Sequence, residues 1–418
     1  MLYMTKNQIF FSSDYTIAYS NISILKISEI QSIIPLTKLS ELHRSVLQTI
    51  TSAIPQLARD LPYYNSEYIS RLQESAQNFK NKFKNIIVVG MGGGILNGMC
   101  LHDFSNKNDI NFIFCTKICA SYLSKIKNTI DLTITGFIFI SNSGDTIETV
   151  VSAEYWYGVL LSQQITDFCE RFIFIYGQKE KSLLKDLHTT YGGQYFEYDS
   201  NMGGRFSTFT TPHLLIASIS GIVLEELFAG ANTVFNTFKA NDENFNQLLY
   251  SGMFFTTSSL NHYQNTAILI GSYNSQLHGL TKWYHTAIAE VFGRKNINIL
   301  PINLDLPIDQ HGLMQAVLSN NTMQNLNLFS IEDCVNNVQK ILQSEVVEQC
   351  TAVGISVREF IFKNTSAKSL GATLMYLILE LITTAIFINI NPFVQPQIDD
   401  MKKNIANKYR QYTQQGVP

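Results

Sequence analysis

Five short apolar runs in the first half of this 418-residue chain alternate with segments of helical pattern. The runs are 85–89, 111–114, 134–140, 171–176 and 194–198. Consecutive apolar positions are typical of parallel strands that helices cover on both faces of a sheet. Because 45% of the residues are hydrophobic and only 15% are charged, the chain can bury a large core. The pattern predicts an α/β fold built on a mainly parallel sheet.

A similar alternation returns in the second half of the chain. Strands are predicted at 266–270, 296–300 and 359–363, with a helix at 280–292. We therefore expect two α/β modules of similar architecture and a C-terminal helix at 398–412. The predicted division is an N-terminal extension at 1–45, domains at 46–230 and 231–395, and a helical end at 396–418.

Composition and charge narrow the classes of function. The formal net charge is only −3 and there is no long basic run, so nucleic-acid binding has no electrostatic support. The first residues lack the design of a signal peptide. The six cysteines form no C-x-x-C pair, and several lie inside apolar runs. We expect reduced, structural cysteines in a cytoplasmic protein.

The segment 370–390 is apolar enough and long enough to cross a bilayer. Glu380 lies in its middle, and Asn389 interrupts its end. A buried helix at about 369–385, followed by a buried strand at about 386–390, fits this composition better. We therefore expect no membrane partner.

The strand at 134–140 leads directly into a hydroxyl-rich loop. Ser141, Ser143, Thr146 and Thr149 follow the strand, and an apolar helical pattern begins at once. A helix N-terminus presents N–H groups and the positive end of its dipole to such a loop. Neutral hydroxyls suit a phosphate that is bound and then released, so the loop predicts a phosphorylated small-molecule ligand.

The loop also has an interpretation without a ligand. Asp145 and Glu148 match an aspartate version of the capping box, which satisfies helix donors by itself. If a phosphate does bind, Asp145 should point away from it and cap the helix. Ser141, Ser143 and Thr146 would then face the anion.

A glycine-rich turn at 90–94 follows the first strand of the predicted sheet. It is not a dinucleotide fingerprint, because Ile95 occupies the position of the third glycine. We expect Gly92 and Gly93 to line a sugar site, since ligands collect at the carboxyl ends of parallel strands. A plain tight turn between a strand and a helix is the alternative.

Several motifs, in order, carry a family resemblance. The loop reads Ser-x-Ser-Gly-x-Thr-x-Glu and resembles the phosphosugar loop of sugar isomerase domains. The remaining motifs are G-G-R-F-S at 203–207, E-V-F-G-R-K at 290–295, D-Q-H at 309–311 with Gln315, and I-N-P-F-V-Q-P at 390–396 with Lys402. Together they resemble the phosphoglucose isomerase family, particularly its shorter bacterial forms.

The resemblance implies a fold, a reaction and a partner. The fold would be two sugar-isomerase-type, three-layer αβα domains with mainly parallel sheets. The reaction would interconvert glucose 6-phosphate and fructose 6-phosphate, an aldose and a ketose, through ring opening and a cis-enediolate, without metal or cofactor. The family also implies a homodimer in which His311 reaches the active site of the partner subunit.

The resemblance further implies roles for two charged residues. Glu290 matches the base that moves a proton between C2 and C1, a task that suits one carboxylate. Without the motif, it would be an ordinary surface glutamate on a helix. Arg205 would stabilise the negative charge of the enediolate through its permanently charged guanidinium.

Ring opening is assigned to His311 and Lys402, and Gln395 is expected to bind substrate. A histidine titrates close to neutral pH, so it can protonate the ring oxygen. Among the eight histidines, only His311 has motif support. The alternatives are a capping or core histidine for His311 and a solvated helix face for Lys402.

The chain also departs from the family pattern. Gly94 replaces a frequent serine and Asn142 a frequent lysine, while Val394 and Gln397 replace aspartate and glycine. Val291 and Phe292 stand where polar residues are common. None of these changes removes a catalytic group, but the change at Asn142 predicts weaker phosphate binding. Tolerance of mannose 6-phosphate is a further expectation.

Three alternatives to this function remain open from the sequence. A non-catalytic sugar-phosphate sensor would keep the loop at 141–149 but would need neither Glu290 nor His311. A dual phosphoglucose and phosphomannose isomerase would share the whole site. A nicotinamide-dependent dehydrogenase is disfavoured by Ile95.

Overall fold

The architecture comes from a computed structural model. It describes residues 7–12, 15–20, 34–53, 66–105, 109–199, 202–257, 266–294, 297, 299–319, 324–332 and 336–414. The predicted strand at 296–300 and Lys295 of the E-V-F-G-R-K motif lie partly or wholly outside these residues.

The described strands and helices alternate along most of the chain. The strands are β1 (Asn7–Ser12), β2 (Tyr15–Ser20), β3 (Asn85–Val89), β4 (Asn111–Cys115), β5 (Thr135–Ser141), β6 (Phe172–Tyr176), β7 (Gln194–Glu197), β8 (Thr266–Ser272), β9 (Ile299–Asp305), β10 (Gln324–Ile331) and β11 (Ser356–Phe362). The helices are α1 (Leu36–Ala53), α2 (Ser66–Lys82), α3 (Gly93–Phe104), α4 (Ala120–Thr129), α5 (Ile147–Ser162), α6 (Phe168–Arg171), α7 (Leu183–Tyr191), α8 (Thr211–Ile219), α9 (Leu224–Lys239), α10 (Glu243–Thr257), α11 (His278–Phe292), α12 (Leu313–Ser319), α13 (Asn337–Ala352), α14 (Ala367–Phe387) and α15 (Pro396–Gln414).

The chain forms two compact units, and each combines segments that are distant in sequence. Unit 1 comprises Met1–Tyr63 and Val223–Phe393. Unit 2 comprises Tyr64–Ile222 and Val394–Pro418. The C-terminal helix α15 therefore belongs to the unit that contains the hydroxyl-rich loop.

Unit 2 is built on a five-stranded sheet in the order β4-β3-β5-β6-β7. Every neighbouring pair of strands is parallel. All residues of β5 and β6 are buried, as expected for strands that are covered on both faces. On one face, Trp156 of α5 packs with Phe137, Phe139 and Phe172 in an apolar cluster. The predicted parallel sheet of the first half is confirmed.

Unit 1 is built on a six-stranded sheet in the order β1-β2-β11-β10-β8-β9. The pairs from β11 to β9 are parallel, whereas β2 pairs antiparallel with both β1 and β11. Two strands from the N-terminal segment thus complete the sheet of the second half. The α/β class with mainly parallel sheets is confirmed.

The strand β10 is missing from the sequence prediction because polar residues interrupt its apolar pattern. Asn325 and Asn327 are both buried within it. Asn325 donates to the carbonyl oxygen of Phe255, and Asn327 Oδ1 accepts from Arg358 Nε at 2.8 Å. Buried amides that are satisfied in this way are compatible with a central strand.

The long apolar helix α14 is the described segment that is long and apolar enough to span a membrane. It is a core helix of unit 1, since 89% of its most apolar stretch is buried. The predicted strand at 386–390 is wrong, because the helix continues to Phe387. Asn389 then adopts a positive φ of 59°, and Ile390 N–H donates to Ala385 O at 2.9 Å. This left-handed residue ends the helix in a turn.

Candidate active site

The hydroxyl-rich loop lies at the carboxyl end of β5, in the centre of the unit 2 sheet. Ser141 Oγ and Thr146 Oγ1 are 2.8 Å apart, so one hydroxyl donates to the other. Thr146 N–H also donates to Ser141 Oγ at 3.4 Å. Ser143 is exposed, and its Oγ accepts from the Asp145 N–H at 3.1 Å. The predicted hydroxyls therefore gather in one short loop at the start of α5.

The N-terminus of α5 has Thr146 as its N-cap, and no side chain caps it. The predicted capping role of Asp145 is wrong. Its Oδ1 instead accepts from the N–H of Leu183 at 3.2 Å, and its Oδ2 lies 3.3 Å from Lys179 Nζ. Because the first N–H groups of a helix lack intrahelical partners, this end of α5 suits an anion.

Thr149 lies in the first turn of α5, and it is fully buried. Its hydroxyl donates to the carbonyl oxygen of Ile140 at 3.4 Å. In this position the side chain of Thr149 connects the first turn of α5 to the end of β5, and it thereby stabilises both ends of the loop.

Asn142, where a lysine was expected, makes a structural contact. Its Nδ2 donates to the carbonyl oxygen of Met202 at 2.9 Å, which connects the loop to the segment before Arg205. Its own carbonyl oxygen accepts from Gly177 N–H at 3.1 Å. The side chain that replaces the lysine therefore holds two loops of unit 2 together.

The glycine turn packs against the G-G-R-F-S motif. Gly92 has a φ of 55°, and Gly93 opens α3. A Cβ atom on Gly93 would lie only 2.3 Å from the carbonyl carbon of Gly204. The glycine at this position is therefore required by a close approach of two backbones.

One amide that the sequence does not reveal joins these two motifs. Asn97 Nδ2 donates to Gly93 O at 2.5 Å and to Gly204 O at 2.8 Å. Thr208 donates in turn to Asn97 Oδ1. Asn97 is fully buried, so the bridge is shielded from water. No sequence pattern marks Asn97, because its second acceptor belongs to the distant G-G-R-F-S motif.

Arg205 lies in a 3-10 turn at Gly204–Phe206 and is only 1% exposed. Its guanidinium carbon is 5.4 Å from the centre of the Phe206 ring. The following Ser207 donates to Gly204 O at 2.7 Å and lies 3.1 Å from His213 Nε2. Burial lowers the pKa of His213 to about 3, so this imidazole is neutral. The turn that carries Arg205 is thus rigidly supported.

Glu290 lies in unit 1, on the last turn of α11, and its side chain is half-buried. The two unusual residues that follow it, Val291 and Phe292, are fully buried. Their apolar character is explained by packing at the end of the helix. Arg294 then donates to the carbonyl oxygen of Asn391 at 3.2 Å, so this motif contacts the I-N-P-F segment.

His311 is exposed at the end of a short 3-10 turn, Ile308–His311, in unit 1. Asp309 Oδ2 accepts from the N–H of Asp305 at 2.7 Å, and Gln310 Oε1 accepts from the hydroxyl of Tyr273 at 2.7 Å. The turn is therefore fixed on both sides, while the imidazole of His311 faces outward.

Lys402 and Gln395 lie together in unit 2, since Lys402 Nζ donates to Gln395 Oε1 at 3.4 Å. Lys402 is exposed on α15. A hydrogen bond between Tyr409 and Glu154 connects the same helix to α5, and burial raises the pKa of Glu154. The C-terminal helix that carries Lys402 is thus attached to the helix that begins at the hydroxyl-rich loop.

The structure divides the predicted site residues between the two units. Unit 2 contains Arg205, Gly92, Gly93, Gln395, Lys402 and the hydroxyls of the loop, whereas unit 1 contains Glu290 and His311. Within the part of the chain that the structure describes, no three His, Cys, Asp or Glu side chains form a metal-binding group.

Comparison with known proteins identifies the family. The family model for phosphoglucose isomerase matches residues 67–299, more than half of the chain. The chain belongs to the phosphoglucose isomerase family. The matched range includes the hydroxyl-rich loop, the G-G-R-F-S motif and Glu290. The predicted resemblance is confirmed, and with it the assignment to an enzyme family.

Individual relatives agree with this membership. The chain is 24% identical to a glucose-6-phosphate isomerase of Shouchella clausii over 83% of its length and 84% of that protein. It is also 24% identical to a glucose-6-phosphate isomerase of Mycoplasma capricolum, over 93% of its length and 96% of that protein. A crystal structure of a glucose-6-phosphate isomerase from Chlamydia trachomatis superimposes with a TM-score of 0.78 at 17% identity, covering 97% of this chain and 90% of the other. The phosphoglucose isomerase fold is therefore shared, while the roles of single residues stay predictions.

Proposed function

We propose that this protein interconverts glucose 6-phosphate and fructose 6-phosphate through ring opening and a cis-enediolate, as a step of glycolysis and gluconeogenesis. The observation that carries the proposal is the hydroxyl pair of Ser141 and Thr146 at the uncapped start of α5. This arrangement lies inside the range that matches the phosphoglucose isomerase family.

The proposed phosphate contacts come from the loop and from the helix. Ser141, Ser143 and Thr146 offer hydroxyls, and the first N–H groups of α5 add donors at the positive end of its dipole. Thr149 supports the loop from inside the helix. Gly92 and Gly93 are proposed to contact the sugar, and Gln395 to bind substrate next to Lys402.

The chemical steps are assigned to four residues. Lys402 and His311 open the ring by proton transfer at the ring oxygen and at the C1 hydroxyl. Glu290 then removes the proton from C2 and returns it to C1 on the same face. Arg205 stabilises the negative charge on the enediolate oxygens, an interaction that is strongest when the charge develops.

A coupled assay tests this function directly. Purified protein should convert fructose 6-phosphate to glucose 6-phosphate. A coupling dehydrogenase then oxidises this product, and the absorbance of the NADPH formed reports the rate. Replacing the base, Glu290→Gln, should lower kcat by roughly 10²–10⁴-fold, the usual contribution of a general base. Glu226→Gln, an exposed glutamate on α9, is the matched control and should keep full activity.

The outcomes distinguish the alternatives. Binding of sugar phosphate without any turnover would indicate a sensor and contradict the isomerase proposal. Equal turnover of mannose 6-phosphate and glucose 6-phosphate would indicate a dual isomerase. Full activity in Glu290→Gln would remove Glu290 as the base while leaving the overall reaction intact.

We also infer that the active form is a homodimer in which His311 serves the partner subunit. His311 is exposed in its own chain. Ile308, on the same turn, is 70% exposed, and Ile341 on α13 is 67% exposed. These elements meet at Tyr273, whose hydroxyl approaches both Gln310 Oε1 and Leu342 O. Exposed apolar residues around a catalytic histidine are typical of a surface that a second chain covers.

Mixing two inactive variants tests the shared site. One chain carries Glu290→Gln and the other His311→Gln, and subunits are exchanged by mild denaturation and refolding. If His311 acts across the interface, each mixed dimer regains one complete site and activity rises. If His311 acts in its own chain, every site keeps one defect and mixing restores nothing.

Two further expectations belong to this proposal. A cytoplasmic location fits a sugar-phosphate enzyme of central metabolism, and cell fractionation tests it.

The division into 1–45, 46–230, 231–395 and 396–418 also stays a prediction. Limited proteolysis that cleaves near residues 230 and 395 first would support it.

A further inference from the structure

The proposed phosphate loop contains a feature that opposes its function. Asp145 lies between Gly144 and Thr146, and Glu148 follows in the first turn of α5. Two carboxylates near a phosphate dianion repel it. Unit charges about 8 Å apart at an effective dielectric constant of about 20 change a binding constant by roughly ten- to thirtyfold. The lysine that the family pattern would place at position 142 is absent.

A lysine from another part of the chain lies against this loop. Lys179 Nζ is 3.3 Å from Asp145 Oδ2. The Asp145 side chain is 22% exposed and the Lys179 side chain 45% exposed, so the pair is partly shielded from water. The backbone near Lys179 is held in turn, because Lys185 Nζ donates to Lys179 O at 3.3 Å.

The sheet itself brings Lys179 to this position. Ser141 at the end of β5 pairs with Tyr176 at the end of β6, so the chain leaves both strands side by side. Gly177 N–H donates to Asn142 O at 3.1 Å, and Leu184 N–H donates to Gly144 O at 2.9 Å. The two ends of the segment 177–184 thus contact the loop at Asn142 and Gly144.

We propose that Lys179 neutralises Asp145 and thereby permits a phosphate to bind at the loop, in place of the positive charge that is missing at position 142. Lys179 is a positioning residue, because its effect on phosphate binding comes from offsetting the negative charge of Asp145. This inference rests on the proposed phosphate site at 141–146. The competing interpretation is an ordinary surface ion pair, which contributes little to stability and nothing to binding.

The experiment compares Lys179→Gln with Lys181→Gln, an exposed lysine two residues away on the same segment. Calorimetry measures the Kd of inorganic phosphate, and the coupled assay measures KM and kcat for fructose 6-phosphate. In Lys179→Gln, Kd and KM should rise about five- to thirtyfold at about 0.05 M salt, with kcat unchanged. At about 0.5 M salt the difference should shrink to about twofold, because screening weakens the repulsion.

A double variant isolates the mechanism. Lys179→Gln with Asp145→Asn removes both charges of the pair, so its Kd should return to within about twofold of that of the original protein. A double variant that binds as weakly as Lys179→Gln alone, or an unchanged Kd in Lys179→Gln at low salt, would overturn the proposal. Failure of the isomerase function is a separate result, since phosphate binding is measured without turnover.

Discussion

Arg358 and Glu380 form a bidentate ion pair inside unit 1. Arg358 Nη1 lies 2.6 Å from Glu380 Oε2, and Arg358 Nη2 lies 3.0 Å from Glu380 Oε1. Both side chains are almost completely buried. Asn327 and Tyr284 complete the network, because Arg358 also donates to Asn327 Oδ1 at 2.8 Å and to the Tyr284 hydroxyl at 3.1 Å. The buried carboxylate of Glu380 in the apolar helix α14 is thus fully paired.

We expect Glu380→Leu to destabilise the protein by about 3–5 kcal/mol, because it leaves the charge of Arg358 buried without a partner. Urea unfolding monitored by circular dichroism measures the change. The double variant Arg358→Met with Glu380→Leu removes both charges and should recover most of the loss. A double variant that is less stable than Glu380→Leu would contradict this account.

Gly93→Ala should disrupt the junction between the glycine turn and the G-G-R-F-S motif. Its Cβ would lie 2.3 Å from the carbonyl carbon of Gly204, where only backbone movement can make room. We expect a loss of at least about 2 kcal/mol in unfolding free energy and a lower kcat, since Arg205 would shift.

Gly94→Ala is the matched control for this change. The nearest atom to its Cβ would be Ile140 Cγ2 at 3.8 Å, an ordinary contact. Its stability and activity should therefore stay close to those of the original protein. The space around Gly94 would therefore also accommodate the Cβ atom of the serine that is frequent at this position in the family.

Tyr273→Phe should lower kcat by about tenfold without a comparable loss of stability, because it removes the hydroxyl that holds Gln310 beside His311. Tyr376→Phe is the control, since that hydroxyl donates to Leu248 O elsewhere in unit 1. In the His311→Gln background the Tyr273 change should have little further effect on kcat. An equal loss in both backgrounds would assign Tyr273 to general stability.

Acid should destabilise the protein partly through His213. Burial lowers the pKa of His213 to about 3 from an ordinary value of 6.5. Between these two pH values the imidazole is neutral in the folded state and protonated in the unfolded chain. Its contribution to stability is complete above pH 6.5 and is lost as the pH falls toward 3. The slope is about 1.4 kcal/mol per pH unit for one proton.

Denaturant midpoints measured between pH 7 and pH 4 test this prediction. The variant His213→Gln should show a shallower decline with falling pH than the original protein, although it starts from a lower stability. Parallel curves for the two proteins would mean that His213 takes up its proton without unfolding.

Much of unit 2 was predictable from the sequence. Continuous apolar runs identified β3, β5 and β6, because these strands are buried almost throughout. The edge strands β4 and β7 were also predicted, although they are only partly buried. The hydroxyl-rich loop was placed correctly at the carboxyl end of β5. β10 was missed, since its buried Asn325 and Asn327 resemble the polar positions of a loop until their partners are known.

The contacts of single side chains were less predictable. Asp145 matched a capping box, yet it accepts from Leu183 N–H and pairs with Lys179. Spacing along one helix does not reveal donors that come from the segment after the neighbouring strand β6. Asn97 escaped notice for the same reason, because its second acceptor, Gly204 O, lies 107 residues away in sequence.

The sequence by itself determined the α/β class and the family, and it supplied the candidates for the groups that act on a sugar phosphate. These depend on local patterns: apolar runs, hydroxyl spacing and ordered motifs. Only the tertiary structure decided that Gly93 meets Gly204, that Lys179 pairs with Asp145, and that Glu380 is paired with Arg358. In each case the two residues come from different elements of the fold. The first two contacts lie where parallel strands bring their carboxyl ends to one edge of a sheet, and the third joins a strand to a buried helix.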